Sequence, residues 1–492
     1  MDLTSSPPPG EVIAARRWER RAMAPALRLS PAWVVTMVVV LASFFGPIRP
    51  RPDPDTWWHI ATGRWILAHG RIPTADPFSW TAYGRPWVAH EWGTDMLFAA
   101  LNRWLGPASL LIVAGILIGS AFLVLASALR IVSDNEWVVA GCLCAAFYPT
   151  MLMWSLRPHL ISILFVALYL RALIAARFKG RVRDLWWLVP ATAIWSNLHA
   201  GFISGVVLIW IFAVVTVIER RPHARTFAGV AIGATVAGAL NPAGFGIYPF
   251  ALYLAKVSSN VQEWQPPNLR TPYGLVFAVF AIGTLVLAGM AVRRVDRALL
   301  TLAGVFILLG FGAVRNVPVT AFMVVPCLAC VLVSWGKIPQ PRPETGAGRV
   351  LLGAVAVAVL FAGLALAASN LAGKSSSQLL SERFFPVAAA NFLSHQPAGR
   401  MVNPYDWGGY LIWKTPRLRV SIDGRADMYG VKLLHDDQVL EKLQPGWRQY
   451  LQSRHVRYVL WKRSLPLTQA LLLDPQWRPV FQDHTSIVFE RA

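Results

Sequence analysis

A short stretch near the N-terminus, Asp53-Pro-Asp55-Thr-Trp-Trp-His59, gathers two carboxylates and an imidazole, and Pro86-Trp-Val-Ala-His-Glu-Trp92 adds His90 and Glu91. A carboxylate in a partly desolvated loop can act as general base towards a hydroxyl. Asp55 is the first candidate for that role and Asp53 its substitute. His90 and Glu91 complete the loop set, either as hydrogen-bond partners or as ligands. The candidate metal ligands are Asp53, Asp55, His90 and Glu91, with His59 beside them; they are of types that suit Mg²⁺, Mn²⁺ or Zn²⁺, so a divalent cation such as Mg²⁺ or Mn²⁺ is the cofactor to consider. Their spacing does not name the metal. His90-Glu91 lacks the second histidine of a His-Glu-x-x-His zinc motif, and the sequence has no Walker lysine loop and no Gly-rich dinucleotide turn.

A second set of polar residues falls at the ends of apolar segments. Arg157 and His159 lie in Ser-Leu-Arg-Pro-His, Asn197 and His199 in Ser-Asn-Leu-His-Ala-Gly, Asn241 in Asn-Pro-Ala-Gly, and Arg315 with Asn316 in Val-Arg-Asn-Val-Pro. Arginine grips phosphate or pyrophosphate by charge-assisted, bidentate hydrogen bonds. Arg157 and Arg315 are therefore candidates for that task, while His59, His159, Asn197 and His199 are candidates to line the same cavity. Each residue also has a plainer role open to it. A histidine can end a helix, an arginine can reach lipid headgroups, and Asp53 and Asp55 beside prolines can be turn residues. What favours a site is convergence of ionisable groups at membrane depth, where each is costly.

The elements that must position these groups follow from composition. Of 492 residues, 55% are hydrophobic and 14% charged, and the mean hydropathy is +0.47. An ordinary soluble enzyme carries about a quarter charged residues, so a polytopic membrane protein is expected. Spans are expected at about 31–48, 107–131, 137–154, 159–176, 185–198, 200–218, 226–241, 273–292, 298–314, 317–336 and 350–370, eleven in all. Cations cluster in alternate loops, as in Arg177-Phe-Lys-Gly-Arg-Val-Arg183 and Arg293-Arg-Val-Asp-Arg297. The positive-inside rule then places the N-terminus in the cytoplasm and the C-terminus outside. The net charge of +21 is explained by that asymmetry, with no nucleic-acid partner. Arginines at 16, 17, 20, 21 and 28 before the first apolar run suggest a retained signal anchor with a cytoplasmic basic tail, 1–30. Cys142, Cys144, Cys327 and Cys330 lie inside apolar runs and read as packing residues.

Two hydrophilic regions remain, both on the outer side by this parity. The loop 49–106, within a membrane unit 31–372, holds a Trp-rich helical stretch from Asp55 to His69, too polar to span and suited to the interface. Beyond the linker Gly373-Lys-Ser-Ser-Ser377, the region 373–492 is long enough for an extracytoplasmic α/β domain. Strands are expected at 400–403, 410–413, 419–422, 457–461 and 486–490, and helices at 386–395, 436–452 and 466–473. Asp423 and Arg425 are its most suggestive pair, equally legible as a salt bridge in the turn after a strand.

This arrangement resembles the GT-C superfamily of membrane glycosyltransferases, which includes protein mannosyltransferases, lipid A aminoarabinose transferase and oligosaccharyltransferase catalytic subunits. The resemblance rests on a first span, a large outer loop opening with the Asp motif Asp53-Pro-Asp55-Thr-Trp-Trp-His59, many further spans and a C-terminal outer domain. Pro86 to Trp92, Asn403-Pro-Tyr-Asp-Trp-Gly-Gly-Tyr410 and Ile422-Asp-Gly-Arg-Ala-Asp427 resemble a bacterial subgroup with this layout. It implies a sugar donor carried on polyprenyl phosphate or pyrophosphate, a loop carboxylate that activates or positions the acceptor, and a glycan, lipid or protein acceptor in the envelope. The tail lacks the Trp-Trp-Asp motif that reads a protein N-glycosylation sequon; Tyr405-Asp-Trp-Gly-Gly is nearest to it. Two other classes stand beside this expectation. One is a transporter or flippase for a lipid-linked or anionic substrate, the other a non-catalytic scaffold for envelope assembly.

Overall fold

The computed structural model describes residues 29–492 except 258–260, 337 and 343. The expected cytoplasmic tail 1–30 and its signal anchor arginines lie outside the described residues, apart from positions 29 and 30. The described chain opens with α1 (Pro31–Phe45), α2 (Pro54–His69) and α3 (Trp92–Trp104). The bundle continues through α4 (Pro107–Val132), α5 (Glu136–Met151), α6 (His159–Lys179), α7 (Leu188–Ser196), α8 (Phe202–Ile218) and α9 (Ala224–Gly238). It ends with α10 (Ile247–Val257), α11 (Pro272–Met290), α12 (Arg297–Gly312), α13 (Val317–Trp335) and α14 (Gly346–Leu371).

Every segment expected to span is helical. Five helices among the described residues are long and apolar enough to cross a membrane: α4, α6, α11, α13 with the short turn before it, and α14. A helix of 26 residues such as α4 reaches about 39 Å, more than the roughly 30 Å hydrocarbon thickness. The apolar helices α1, α8 and α12 are shorter. Sequence-adjacent loops sort to the two ends of the bundle. Helix α6 carries His159 at its first residue and Arg177 in its last turn, about 27 Å apart along the axis. At the His159 end, Thr56 Oγ1 donates to the Leu156 carbonyl at 2.9 Å and Thr94 Oγ1 to that of Leu198 at 2.7 Å. At the Arg177 end, that guanidinium meets Asp296 and Glu219, each at 2.7 Å.

The tail contains α15 (Ser376–Leu379), α16 (Val387–Ser394), β1 (Met401–Val402), α17 (Tyr405–Lys414), α18 (Ala426–Glu441) and α19 (Trp447–Ser453). After these come β2 (Tyr458–Lys462), α20 (Pro466–Leu472), β3 (Trp477–Gln482) and β4 (Ser486–Arg491). The sheet order is β1-β2-β4-β3; β1 runs parallel to β2, and the other pairs are antiparallel. Its buried face packs Val459, Trp461, Ile487 and Phe489 against Trp447, Leu451, Leu467 and Leu471. The tail is thus α/β, as expected, with four local corrections, of which the first is that the helix expected at 436–452 is two, α18 and α19, parted at 442–446. Residues 410–413 belong to helix α17 rather than to a strand, because β-rich side chains follow their packing context more than any intrinsic preference. Here α17 lies against the start of α2, where a Cβ on Gly409 would collide with the Pro54 carbonyl, and Tyr410 and Phe385 stack beside Trp57 at 4.9 and 5.3 Å. Residues 419–422 form only an isolated bridge, Val420 to Ser79. Strand β3 was not expected: Pro479 interrupts its pattern, which an edge strand tolerates.

Candidate functional site

Helix α2 begins where Pro54 fixes the first helical residue. Asp53 caps it, with Oδ1 accepting from the Asp55 N–H at 2.9 Å. Both oxygens of Asp53 also take Arg157 Nε, at 2.9 and 2.7 Å. Arg157 Nη1 reaches Asp55 Oδ2 at 2.8 Å and Glu263 Oε2 at 2.9 Å. Glu263 extends its other oxygen to Arg315 Nη1 at 3.5 Å, and Arg315 lies over the Trp264 ring, 4.1 Å from its centroid. The loop around Gly424 closes over this group; a Cβ there would collide with Asp55 Oδ1. Burial pushes the Asp55 carboxyl from 3.8 up to about 7 against the pull of Arg157, and Asp53 and Glu263 add to the rise. The Asp55 side chain nevertheless keeps 18% of its surface exposed. Asp53 is committed to the helix end and to Arg157; Asp55 is the carboxylate with access.

One turn along α2, His59 Nδ1 pairs with Asp95 Oδ1 at 2.6 Å. Burial raises the Asp95 carboxyl, with Glu91 adding to it, and lowers the His59 imidazole, so both are held towards their neutral forms. Glu91 sits among three imidazoles: His199 Nε2 at 3.3 Å, His90 Nε2 at 3.7 Å and His59 Nε2 at 3.8 Å. The tautomer of His199 follows from its other nitrogen. Nδ1 accepts from the Gly201 N–H at 2.9 Å and faces Ser162 Oγ at 2.7 Å, so the proton of the neutral ring sits on Nε2, towards Glu91. Burial raises Glu91, while His90, Arg315 and Arg157 pull it back and Asp427 pushes it further. The two clusters therefore feel one another across a single end of the bundle.

The structure brings Asp53, Asp55, Arg157 and Arg315 together, and His59, His90, Glu91 and His199 beside them. Two expected cavity residues are otherwise engaged. Asn197 accepts from Trp92 Nε1 at 2.9 Å and donates to the Ala193 and Leu240 carbonyls at 2.8 and 2.7 Å. His159 turns Nε2 to the Met153 carbonyl at 2.6 Å. Both brace the loops. Asp423 and Arg425 form a buried clasp: Arg425 bonds Asp423 at 2.8 and 2.6 Å and Asp76 at 2.9 Å. Three residues were not anticipated. Glu263 is the one acidic residue in 256–272, a signal a charge count of that loop contains. Asp95 follows Glu91 by one helical turn, and Asp427 ends the Ile422-to-Asp427 stretch.

The candidate metal ligands do not converge. Asp53 and Asp55 share Arg157, whereas His90 and Glu91 belong to the imidazole cluster, and among the described residues no group of three or more His, Cys, Asp or Glu is arranged to hold an ion. This donor set does not fit a divalent cation, and no step below runs through one.

No family model matches the chain, and no curated protein matches it. Solved structures do. ArnT from Cupriavidus metallidurans, bound to undecaprenyl phosphate, is 14% identical and superposes with a TM-score of 0.51 over 93% of this chain and 97% of its own. The oligosaccharyltransferase of Archaeoglobus fulgidus, solved with Zn and sulfate, is 13% identical, with a TM-score of 0.54 over 87% of this chain and 68% of its own. Arabinofuranosyltransferase AftD from Mycobacteria is 14% identical, with a TM-score of 0.54 over 95% of this chain but 42% of its own. At such identities the likeness is one of architecture: the chain is a multi-pass membrane protein with the fold of the GT-C glycosyltransferases.

Proposed function

We propose that this protein transfers a sugar from a polyprenyl-phosphate or polyprenyl-pyrophosphate donor to an envelope acceptor, at the membrane face away from the cytoplasm. The observation that carries the reading is Asp55, a partly exposed carboxylate raised to about 7 and set 2.8 Å from Arg157. A base is most useful when its pKa lies near the working pH. Cations beside it belong where a phosphate leaves, because donors aimed at developing charge stabilise it in a water-poor site. Lipid phosphates also accompany this fold elsewhere: undecaprenyl phosphate in ArnT and dolichol-phosphate in the archaeal oligosaccharyltransferase AglB.

In this mechanism the acceptor hydroxyl attacks the anomeric carbon of the donor sugar and its proton passes to Asp55. The bond from that carbon to the phosphate oxygen breaks, and its electron pair leaves on the phosphate, held by Arg157 and Arg315. Glu263, which bridges the two guanidiniums, is the carboxylate that a phosphate displaces. Asp53 positions Arg157 and the start of α2. His59, His90, Glu91 and His199 form the wall on the acceptor side, and region 373–492 closes over the site from outside. A transporter would gather its polar groups midway along the bundle; these gather at one end.

The test is a purified-enzyme assay with a lipid-linked sugar, scoring transfer and donor binding separately in wild type and Asp55→Asn. Transfer should be lost while donor binding survives. Full transfer in Asp55→Asn would remove the base from the mechanism and the chief support from the reading. Mass spectrometry of lipid-linked sugars and envelope glycans in a deletion strain identifies donor and acceptor.

A further inference from the structure

Helix α2 has two faces with chemistry. Side chains recur every 3.6 residues, which puts Asp55 and His59 on one face and Ala61, Arg64 and Trp65 on the other. The second face forms a wall of a groove of about 1030 Å³, completed by residues 77–83 and by the tail at 398–400 and 412–419. Four arginines line it, Arg64, Arg400, Arg417 and Arg419, and no acidic residue does so among the described residues. All four are exposed, in a chain of net charge +21.

Three of these arginines are held on aromatic rings. Arg64 lies 5.2 Å from the Trp413 centroid, Arg400 5.5 Å from Trp80, and Arg419 3.6 Å from Tyr83. A guanidinium over an aromatic ring can still donate through its N–H groups to carboxylate or phosphate, although Arg400 already gives Nη1 to the Arg454 carbonyl at 2.8 Å. Stacking also restrains a side chain that is otherwise costly to order, so less is lost when an anion binds. Three of the four cations lining the groove are therefore restrained by aromatic contacts.

We propose that this groove binds a chain of anionic sugars, a polymer bearing repeated carboxylates or phosphates. Repeated anions match several cations lining one groove, and a groove between two segments suits an extended chain. A lipid headgroup site fits less well, because none of the lining residues comes from a membrane-length apolar helix. Arg64 lies nine residues beyond Asp55, about 14 Å along the axis of the same helix and on its other face. Naming this polymer as the acceptor rests on the transferase reading; its binding to the groove does not.

The experiment measures binding of hexagalacturonate and of neutral maltohexaose to the full-length protein in detergent, without donor. Wild type should bind the uronate, and bind the neutral hexamer at least about tenfold more weakly. Replacing the exposed pair by Arg417→Ala with Arg419→Ala should cost about tenfold or more in uronate affinity. Arg417→Lys with Arg419→Lys should recover part of it, which separates lost charge from lost fold. Asp55→Asn should bind the uronate as wild type does, so failure of transfer in that variant and failure of binding in the arginine pair are read independently. Equal affinity for the neutral hexamer would overturn the proposal, as would undiminished uronate binding in the alanine pair. A loss confined to association with phosphatidylglycerol vesicles would also overturn it and make the groove a lipid site.

Discussion

Arg425 and Arg157 each gather carboxylates, and they do opposite things. Arg425 is fully buried, with Asp423 and Asp76 taking its three nitrogens, Tyr429 donating to Asp423, and Ser79 with the Phe78 N–H donating to Asp76. Its guanidinium also lies over Trp87 at 4.6 Å. Arg157 keeps 22% of its side chain exposed and faces three carboxylates, Asp53, Asp55 and Glu263. In the first group every charge is answered and water is excluded, which is how a clasp between the loop 70–91 and the tail must be built. In the second, three acids share Arg157 and only Glu263 also reaches Arg315, so acid is in surplus, a proton is taken up readily and an incoming anion has partners to compete for. Saturation marks the staple, and surplus with access marks the site.

The largest expected effect tests the open cluster. Asp55→Asn keeps shape and removes the base, so turnover should fall by about 10²–10⁴-fold. Wild-type turnover should drop below a pH of about 7, where Asp55 holds its proton. Stability should move the other way. A carboxyl raised from 3.8 to about 7 binds its proton more tightly folded than unfolded, so the fold loses stability as pH rises between those values. Thermal melting of Asp55→Asn should show a shallower slope, since Asp437, Asp95, Glu91 and Asp427 are raised as well. A turnover profile flat across pH 6–8 (a range of about one unit on either side of the raised value) would separate Asp55 from the chemistry.

The closed cluster should respond in stability instead. Arg425→Met leaves Asp423 and Asp76 buried without their cation and should cost about 3–5 kcal/mol, read as a lowered Tm in detergent. Residual folded protein should still bind a lipid-linked donor. If Arg425→Met folds normally and loses only transfer, the clasp is part of the site and the contrast fails. Arg157→Ala belongs on the other side: donor affinity should weaken by about 2–5 kcal/mol, as for a desolvated charge pair losing one partner. Arg157→Lys should rescue only part, because a point charge cannot engage Asp53 and Asp55 through separate edges.

Much of this contrast was invisible in the sequence, for a physical reason. Apolar runs are long and local, so the helices could be read directly, and the cation asymmetry put Asp53, Asp55, Arg157 and Arg315 in loops that do meet. Pairing is non-local. Nothing in Ile422-Asp-Gly-Arg-Ala-Asp427 says that Arg425 will find Asp76 in a distant loop, or that Gly424 will press on Asp55. Residues 410–413 carried strand-like side chains and became helical because tertiary packing outweighs a short propensity signal. Asn197 and His159 were legible as polar residues at helix ends, but not as braces already committed to backbone partners.

Glu263 gives the smallest expected effect and the sharpest discrimination. It lies 2.9 Å from Arg157 and 3.5 Å from Arg315, so in the resting protein it occupies the charge that a donor phosphate needs. Glu263→Gln keeps the side-chain shape and an acceptor oxygen while removing the competing anion. Affinity for the polyprenyl-phosphate donor should rise by up to about fivefold, the worth of a partly exposed ion pair near 1 kcal/mol. The same change withdraws one of the charges that raise Asp55, so the acid limb of the turnover profile should move to lower pH. The two shifts must occur together, because one carboxylate causes both. Weaker donor binding in Glu263→Gln would mean that Glu263 positions the arginines rather than competing for them. An unmoved acid limb would mean that the group titrating in turnover is not Asp55.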